Sequence, residues 1–418
     1  MTRISLNSFS LRFNRITIWL AAGAMLLSLA PAAHAKKKDK KSQELVEAPK
    51  PVAPKVDTSK LVWPSPPDVA RIRYLGELTG DPIPDAPVIV KKKKQSWMDR
   101  VAGIDTTQIS AAPKAVVLAK PYGVAYDSKN RFYTADPYVG AVFIFNFETK
   151  TFETIRNGRD ATFKLIVGVA VDDDDRLFVS DGALNHISLF DANHKFVQNF
   201  GQGDFKRPGC MTIDKENRFL YVVDTEGAKI VVYDADSLKK LRTIGHPPKV
   251  EGEWDEGDFI YPNSVAVDKD GNVYVTDMGN NRVQIFDAEG NFIRMWGKEG
   301  DGPGTFMRPK GIAVDEDGHV WVVDAMQGRM QVFDQEGHLL AYFGSTGTLP
   351  GQFGLPSGMT IDAKHRVAVA EQLSGRLQVF RYITDEEAAK EKAERAQRSG
   401  APAPQNQPQT EVKAEVRQ

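Results

Sequence analysis

Six copies of one motif, a constant spacing inside each copy and four short strands per copy predict an all-β fold, a six-bladed β-propeller of four-stranded antiparallel blades. In each copy an acidic residue ends the first apolar run, and a second acidic residue follows nine or ten residues later. The second acidic residue is Asp136, Asp181, Asp224, Asp277, Asp324 or Glu371. Ten residues after it, in every copy, comes Asn146, Asp191, Asp234, Asp287, Asp334 or Arg381. Constant spacing within copies and variable gaps between them indicate rigid units joined by adjustable loops.

The strands of a copy are short runs of β-branched and aromatic residues, such as VWVVD and MQVFD in the fifth copy. Tetrapeptides rich in Asp and Gly, such as DKDG and DEDG, separate the strands and have the composition of tight hairpin turns. A meander of four such strands has two apolar faces and cannot bury both of them alone. Six sheets stacked around an axis bury both faces, so the copies predict blades.

The last blade needs a strand from elsewhere in the chain. The sixth copy ends at LQVFRYI and continues into the charged segment DEEAAKEKAE, which leaves this copy without an outer strand. The segment Ala70–Gly76 matches the outer strand Asn291–Gly297 of the fourth copy at an Ile-Arg pair and at the final Gly. We therefore expect an N-terminal strand to complete the sixth blade and to cover its open edge.

The two ends of the chain differ in composition from the repeats. Arginines, an apolar run shorter than the ~20 residues of a membrane-spanning helix, and small residues up to Ala35 predict a signal peptide cleaved after Ala35. An uncleaved membrane anchor is the alternative, whereas cleavage implies a periplasmic or secreted protein without stable membrane insertion. The expected organisation is a signal peptide (1–35), a disordered Lys/Pro-rich tether (36–62), the closing strand with a covering segment and short helix (63–120), the propeller (121–383) and a charged helical or disordered tail (384–418).

The blade motifs resemble a known repeat family. Gly-Ile-Ala-Val-Asp at 311–315, Val-Tyr-Val-Thr-Asp at 273–277 and Asn-Asn-Arg-Val-Gln-Ile-Phe at 280–286 are similar to the NHL repeat of six-bladed β-propellers. The resemblance covers residues 70–76 and 121–383, and with the signal segment it suggests an exported bacterial type. It implies the fold but leaves the activity open, because NHL propellers include protein-binding, RNA-binding and enzymatic members.

The six repeated carboxylates allow two interpretations. They could form a ring of acids around a cation, or each could cap its own turn and pair with the residue five positions later. That residue is a Lys or Arg in four of the six copies, which favours the structural pair.

A catalytic or metal site is not evident in the sequence. Most histidines fall in predicted turns, and His186 is the one that could face a functional surface; a single histidine does not make a metal site. Cys210 is the only cysteine and lies in an apolar run, so it is expected to be a buried small residue. We therefore expect no cofactor and no metal, and a non-enzymatic scaffold; a cavity enzyme of the lyase or hydrolase kind is the alternative.

The charge of the repeats argues against nucleic acid as a partner. Residues 121–382 contain 38 Asp and Glu against 28 Lys and Arg, a formal charge of −10. Phosphate binding needs a positive surface. The expected partner is a protein or peptide in the cell envelope, bound by a monomeric propeller.

The candidate binding surface is the side of the ring that carries the loops between blades and the loops between second and third strands. The longest loop between blades, His246–Pro262, contains several aromatic residues and breaks the repeat. These aromatics could instead pack on the blade below. The candidate contact residues are Trp254, Phe259 and Tyr261, with Tyr138, His186, Met278 and Met326 on neighbouring loops.

Overall fold

The computed structural model describes residues 56–66, 68–81, 90–92, 107–109, 116–250 and 255–398. All of them belong to one compact unit, Lys55–Gln418. The expected signal peptide and most of the expected tether lie outside the described residues, as does the stretch after Lys92 in which the short helix of the covering segment is expected, Ser96 being its predicted N-cap.

The described chain is almost entirely β-strand. Six short strands precede the first blade: β1 (Val62–Trp63), β2 (Ile72–Leu78), β3 (Gly80–Asp81), β4 (Val90–Lys92), β5 (Thr107–Ile109) and β6 (Val116–Val117). Blade 1 consists of β7 (Val124–Tyr126), β8 (Phe132–Asp136), β9 (Ala141–Asn146) and β10 (Thr151–Arg156). Blade 2 consists of β11 (Ile166–Val171), β12 (Leu177–Asp181), β13 (His186–Phe190) and β14 (Phe196–Phe200). Blade 3 consists of β15 (Pro208–Asp214), β16 (Phe219–Asp224), β17 (Lys229–Asp234) and β18 (Lys240–Ile244). Blade 4 consists of β19 (Pro262–Val267), β20 (Val273–Asp277), β21 (Arg282–Phe286) and β22 (Phe292–Trp296). Blade 5 consists of β23 (Pro309–Val314), β24 (Val320–Asp324), β25 (Arg329–Phe333) and β26 (Leu339–Phe343). Blade 6 contains β27 (Pro356–Ile361), β28 (Arg366–Glu371) and β29 (Arg376–Tyr382). One α-helix, α1 (Asp385–Arg398), follows, and 3₁₀ turns lie at Thr58–Lys60 and Met278–Asn280.

Each blade is an antiparallel meander with its first strand innermost, as the sequence predicts. The turn between β19 and β20 shows how the repeat encodes the hairpin. The Asp268 carboxylate accepts hydrogen bonds from the backbone N–H groups of Asp270 and Asn272, at 2.9 and 2.8 Å. Gly271 takes a φ of +83°, which costs glycine little. The ring therefore has two different faces. We call the face with these tight turns the turn face. The opposite face, which carries the loops between blades and those between second and third strands, is the loop face.

The core lies between the blades. Within the described residues, six of the apolar clusters each join one pair of neighbouring blades, including blades 6 and 1. The cluster between blades 6 and 1 combines Phe132 and Phe143 with Leu377 and Val379, all at most 1% exposed. Each large apolar side chain so buried contributes about 1.5–3 kcal/mol. Stability therefore depends on closing the ring.

The inner strands approach one another closely around the axis. The N–H of Gly358 in blade 6 donates to the carbonyl of Tyr122 in blade 1 at 3.0 Å. A Cβ at Gly358 would lie 2.4 Å from that carbonyl oxygen, closer than real Cβ atoms come to other atoms. Glycine at this position of the motif therefore lets the inner strands of neighbouring blades approach each other around the central channel of the ring.

The ring closes as the sequence predicts. Strand β2 pairs antiparallel with β29, with Ile72 opposite Tyr382 and Leu78 opposite Leu377. The short strand β1 pairs in turn with β2, so the last blade has five strands. The segment around Trp63, expected only as an extended lead-in, thus adds an edge strand, and the Trp63 ring packs 5.0 Å from that of Phe343.

Helix α1 forms where the charged tail predicts a helix. Its Ala388 is buried in a small cluster with Ala70 and Ile383, which places the first turn of α1 against the closing strand. Among the helices that the structure describes, none has both the length and the apolar character required to cross a bilayer.

Replacing Tyr74 by Ala should destabilise the whole propeller. The Tyr74 side chain is 6% exposed and packs 5.5 Å from Phe380, so its loss removes core from the strand that closes the ring. We expect the free energy of unfolding in urea to fall by about 3–5 kcal/mol. Leu75→Ala is the matched control, since the neighbouring Leu75 is 37% exposed and should cost less than about 1 kcal/mol. Equal losses for the two variants would contradict ring closure by β2.

Candidate functional site

The repeated carboxylates on the loop face are structural. In blade 5 the Asp324 carboxylate accepts the backbone N–H groups of Met307 and Arg308 at 2.7 and 2.9 Å. It also accepts those of Met326 and Gln327 at 2.9 and 3.0 Å. The carboxylate thus ties the start of the inner strand to the loop between the second and third strands.

The same type of bond recurs in the other five blades, with Asp136, Asp181, Asp224, Asp277 and Glu371 as acceptors. The expected partner five residues later pairs in three blades. The pairs are Asp277–Arg282 at 2.9 Å, Glu371–Arg376 at 2.9 Å and Asp224–Lys229 at 3.8 Å. Arg329 instead donates to the carbonyl of Asp301 at 3.3 Å. These carboxylates bind their own blades and are not a cation ring.

The structure separates the expected contact residues. Tyr138, Tyr261 and Met326 are 74%, 56% and 50% exposed on the loop face. Met278 is half-buried, and His186 is buried with its Nε2 atom unpaired. Trp254 lies outside the described residues.

The expectation that Phe259 is a surface contact is wrong. Phe259 is fully buried, and its ring lies 5.7 Å from that of Phe286. Gly245, with a φ of +74°, leaves the space that the ring fills, since a Cβ there would lie 2.1 Å from a Phe259 ring carbon. For this residue the alternative interpretation, packing on the blade below, is correct.

Clustered acids of the turn face are held by cations and turns. Among the described residues, two groups bring three metal-ligating side chains together: Asp172, Asp173 and Asp174, and Asp315, Asp317 and His319. Arg218 forms ion pairs with all three carboxylates of the first group. In the second group, Asp315 accepts from Trp321 Nε1 at 2.8 Å and contacts His319 Nδ1 at 3.0 Å. The buried carboxylate of each group, Asp172 or Asp315, is thus already bound by side chains of the protein.

The inner strands of all six blades surround an axial cavity of about 180 Å³. Cys210 lies in its wall, 5% exposed, and burial raises the pKa of its thiol to about 12, as expected for a structural cysteine. Tyr126 and Lys215 narrow the end of the channel at the turn face, where the ammonium lies 4.5 Å from the ring centroid. Different residues close the opposite end.

Tyr122 crosses the channel at the loop face. Its hydroxyl oxygen accepts a hydrogen bond of 2.8 Å from Asn263 Nδ2, which belongs to the inner strand of the opposite blade. Because the Tyr122 oxygen accepts this bond, its own proton remains free to be donated. Asn263 is 6% exposed, and its Oδ1 atom is buried without a partner. Both side chains therefore present unused hydrogen-bonding capacity at the channel mouth.

Lys310 stands beside Tyr122. It occupies in blade 5 the strand position that Asn263 occupies in blade 4, and its Nζ atom lies 5.4 Å from the centroid of the Tyr122 ring. Within the described part of the chain, its amine makes no hydrogen bond or ion pair. Burial, aided by the charge of Arg308, lowers the pKa of Lys310 to about 8. A substantial fraction of this amine is therefore neutral near pH 8.

Two arginines complete the mouth. Arg207 and Arg308 immediately precede the inner strands of blades 3 and 5. Arg207 pairs with Glu226 at 3.0 Å, whereas the exposed Arg308 has no ion pair among the described residues. Burial raises the pKa of Tyr122 to about 12 despite the opposing effect of both guanidinium charges. We call Tyr122, Arg207, Asn263, Arg308 and Lys310 the mouth cluster.

Sequence reasoning missed the mouth cluster. The charge count of the repeats hides it, because acids fill the turn face while exposed lysines and arginines stand at the starts of the inner strands. A usable signal was present at the second position of the inner strand. That position is Val, Gly or Ser in three blades and holds the larger polar residues Tyr122, Asn263 and Lys310 in the others.

The comparisons with known proteins agree with this architecture. The family model DUF5128, described as a 6-bladed beta-propeller, matches residues 160–270 and 255–342. NHL repeat-containing protein 2 of Gallus gallus is 27% identical over 129 residues, which are 28% of this chain and 18% of that protein. The chain is a six-bladed β-propeller built from NHL repeats.

Two further relatives bear on the fold and the activity of this NHL propeller. A Bacteroides thetaiotaomicron protein of unknown function has a similar structure, with a TM-score of 0.51 and 17% identity, covering 65% of this chain and 71% of that one. A probable peptidyl-alpha-hydroxyglycine alpha-amidating lyase of Caenorhabditis elegans is 33% identical over 115 residues. That match covers 27% of this chain and 32% of the lyase, so the chain matches less than a third of either curated relative.

The prediction of a non-enzymatic scaffold is wrong on this evidence, because a relative is named as an enzyme, which favours the alternative. That prediction considered candidate groups within single motifs only. Tyr122, Asn263 and Lys310 come from three blades that meet only at the axis.

Replacing Lys310 by Met should remove a pH dependence of stability. Between the folded pKa of about 8 and the ordinary value of 10.5, the unfolded chain binds a proton that the folded protein releases. The free energy of unfolding therefore rises with pH in this window because of Lys310. We compare the free energies of unfolding of wild type and Lys310→Met in urea. The difference, wild type minus variant, should increase by on the order of 2 kcal/mol from about pH 7 to about pH 10.

The exposed Lys164 offers a matched control, since Lys164→Met should keep a constant difference from wild type at the two pH values. A constant difference for Lys310→Met as well would show that the folded protein holds Lys310 at an ordinary pKa.

Proposed function

We propose that this NHL propeller is a lyase that acts on a carboxylate-bearing substrate at the mouth cluster. The observation that carries the proposal is the Tyr122–Asn263 hydrogen bond across the channel beside the unpaired amine of Lys310. It combines a proton donor and a proton acceptor in one partly buried site, as acid–base catalysis of bond cleavage requires. The named lyase among the relatives supports the same class of reaction.

The electrostatics suit an anionic substrate. Arg308 is exposed and has no ion pair within the described residues, and Arg207 shares its charge with Glu226 only. A guanidinium can bind a carboxylate through two parallel hydrogen bonds, which fixes both position and orientation. We assign Arg207 and Arg308 to the carboxylate of the substrate.

The proton-transfer roles follow from the two pKa values. Lys310, with a pKa of about 8, is partly neutral under mildly alkaline conditions and can accept a proton. Tyr122, with a pKa of about 12, stays protonated and can donate one. The charges of Arg207 and Arg308 partly offset the effect of burial on the pKa of Tyr122. The same charges would stabilise the Tyr122 phenolate after the donation.

A peptide ending in α-hydroxyglycine is the first substrate that we propose, by analogy with the name of the relative. Lys310 would take the proton of the α-hydroxyl group as the C–O bond becomes a carbonyl. The C–N bond would break, and its electron pair would pass to nitrogen, which takes the proton of Tyr122. The products would be a peptide amide and glyoxylate.

We also propose that the enzyme works outside the cytoplasm. This proposal is supported by the arginines and the apolar run that precede Ala35, which have the composition of an export signal. A peptide or protein fragment would then meet the mouth cluster in the exported compartment.

Tyr122→Phe should lower kcat/KM by about 10²–10⁴-fold, because it removes the proton donor and keeps the ring. Arg308→Ala should act mainly by raising KM. The rate of the wild type should increase with pH up to about 8, as Lys310 loses its proton. The measurement is glyoxylate release from a short peptide with a C-terminal α-hydroxyglycine.

Tyr126→Phe is the matched control, because Tyr126 ends the inner strand that follows Tyr122 and lies at the turn-face end of the cavity. It should retain wild-type activity. Equal rates for the Tyr122 and Tyr126 variants, or no release by the wild type above background, would reject the proposed function.

A further inference from the structure

We infer that Lys310 forms an imine with 2-oxo carboxylates, that is, with an aldehyde or ketone carbon bonded directly to a carboxylate. This inference rests on the proposed function for the location of the binding site and goes beyond it in naming a covalent bond to the protein. It is carried by the surroundings of one amine.

The Lys310 amine is placed as a nucleophile. Within the described residues it has no hydrogen bond and no ion pair, and its Nζ atom lies over the face of Tyr122, 5.4 Å from the ring centroid. By contrast, Lys229 and Lys240, on the strands of blade 3, donate to Asp204 at 3.0 Å each. A half-buried amine without an acceptor can approach a carbonyl carbon without first breaking a contact.

The rest of the mouth cluster matches a 2-oxo carboxylate. The exposed guanidinium of Arg308 can receive the carboxylate, which brings the adjacent carbonyl carbon towards Lys310. The free proton of Tyr122 can bind the carbonyl oxygen. The buried Oδ1 atom of Asn263, which has no partner, can accept the O–H or N–H of the addition product.

The covalent step balances without any further reactant. The Nζ atom attacks the carbonyl carbon, the carbonyl electron pair moves to oxygen, and a proton moves from nitrogen to give a carbinolamine. The hydroxyl group then leaves as water with the proton of Tyr122, nitrogen forms the C=N bond, and the proton that remains on nitrogen returns to the Tyr122 oxygen. Oxidation states do not change, and hydrolysis reverses the reaction.

Lys215 is an internal comparison for this reactivity. It is also half-buried, its ammonium also lies over a tyrosine ring, at 4.5 Å from Tyr126, and burial also lowers its pKa. Its surroundings carry the opposite charge, because the turn-face carboxylates Asp172, Asp173 and Asp175 act on it. A 2-oxo carboxylate should therefore be repelled from Lys215 and attracted to Lys310.

The experiment traps the imine in the intact protein. Wild type is treated with glyoxylate and cyanoborohydride, and the reduced carboxymethyl adduct on each lysine is quantified by peptide mass spectrometry. Lys310 should be modified at least about tenfold more than Lys215. Propanal, an aldehyde without a carboxylate, should modify the two lysines to within about threefold of each other.

Arg308→Ala tests the recognition of the carboxylate. It should reduce the ratio of glyoxylate to propanal labelling at Lys310 by about tenfold, and this ratio cancels any change in the intrinsic reactivity of the amine. Equal glyoxylate labelling of Lys310 and Lys215, or no labelling of Lys310 by either aldehyde, would overturn the inference.

The two proposals fail separately. Trapping at Lys310 in a protein that releases no glyoxylate from the hydroxyglycine peptide would keep the imine and reject the lyase reaction. Release of glyoxylate without any trapping would keep the lyase reaction, with Lys310 as a base only, and reject the imine.

Discussion

Every blade depends on one buried carboxylate at the end of its second strand. An ionised carboxylate out of water is expensive unless hydrogen bonds replace its hydration. Asp324 receives four backbone N–H groups, two from each of two loops. These bonds lie where the strand ladder ends, and they fix the backbone of Arg308 directly. Arg308 of the mouth cluster is therefore positioned by the same bonds that hold blade 5 together.

The repeat constrains some positions of the inner strand and leaves others free. The third position faces the neighbouring blade and is glycine in four blades, where a Cβ would lie 2.7 Å or less from the backbone carbonyl oxygen of the next blade. The second position lies at the channel end, and its residue ranges in size from glycine to Tyr122. Tyr122 can therefore extend across the axis without disturbing a blade interface. Functional side chains can differ from blade to blade at such a position while the fold stays the same.

The fold was predictable because its signals are local and repeated. Landmarks such as Asp277 and Asp287 keep their spacing in each copy, and the match of Ala70–Gly76 to an outer strand identified the closing segment. The site was less predictable. Tyr122 and Asn263 are 141 residues apart and belong to opposite blades, so their hydrogen bond exists only in the closed ring.

Individual side chains of irregular loops were also hard to assign. An aromatic residue in a long loop can serve as a contact or as local core, and composition does not distinguish the two. Phe259 is fully buried because Gly245 provides a space for its ring, whereas Tyr261, two residues later, is 56% exposed. The deciding factor is the backbone conformation of a residue on another segment.

The uneven charge of the two faces follows from the repeat itself. Tight turns use Asp and Asn to bind their own backbone, so a face made of such turns carries many carboxylates. On the loop face, carboxylates such as Asp324 are buried, and backbone N–H groups occupy their oxygens. Exposed cations such as Arg308 are therefore less compensated there than on the turn face. A chain with a formal charge of −10 in its repeats can thus still present the cations of the mouth cluster to an anion at that end of the channel.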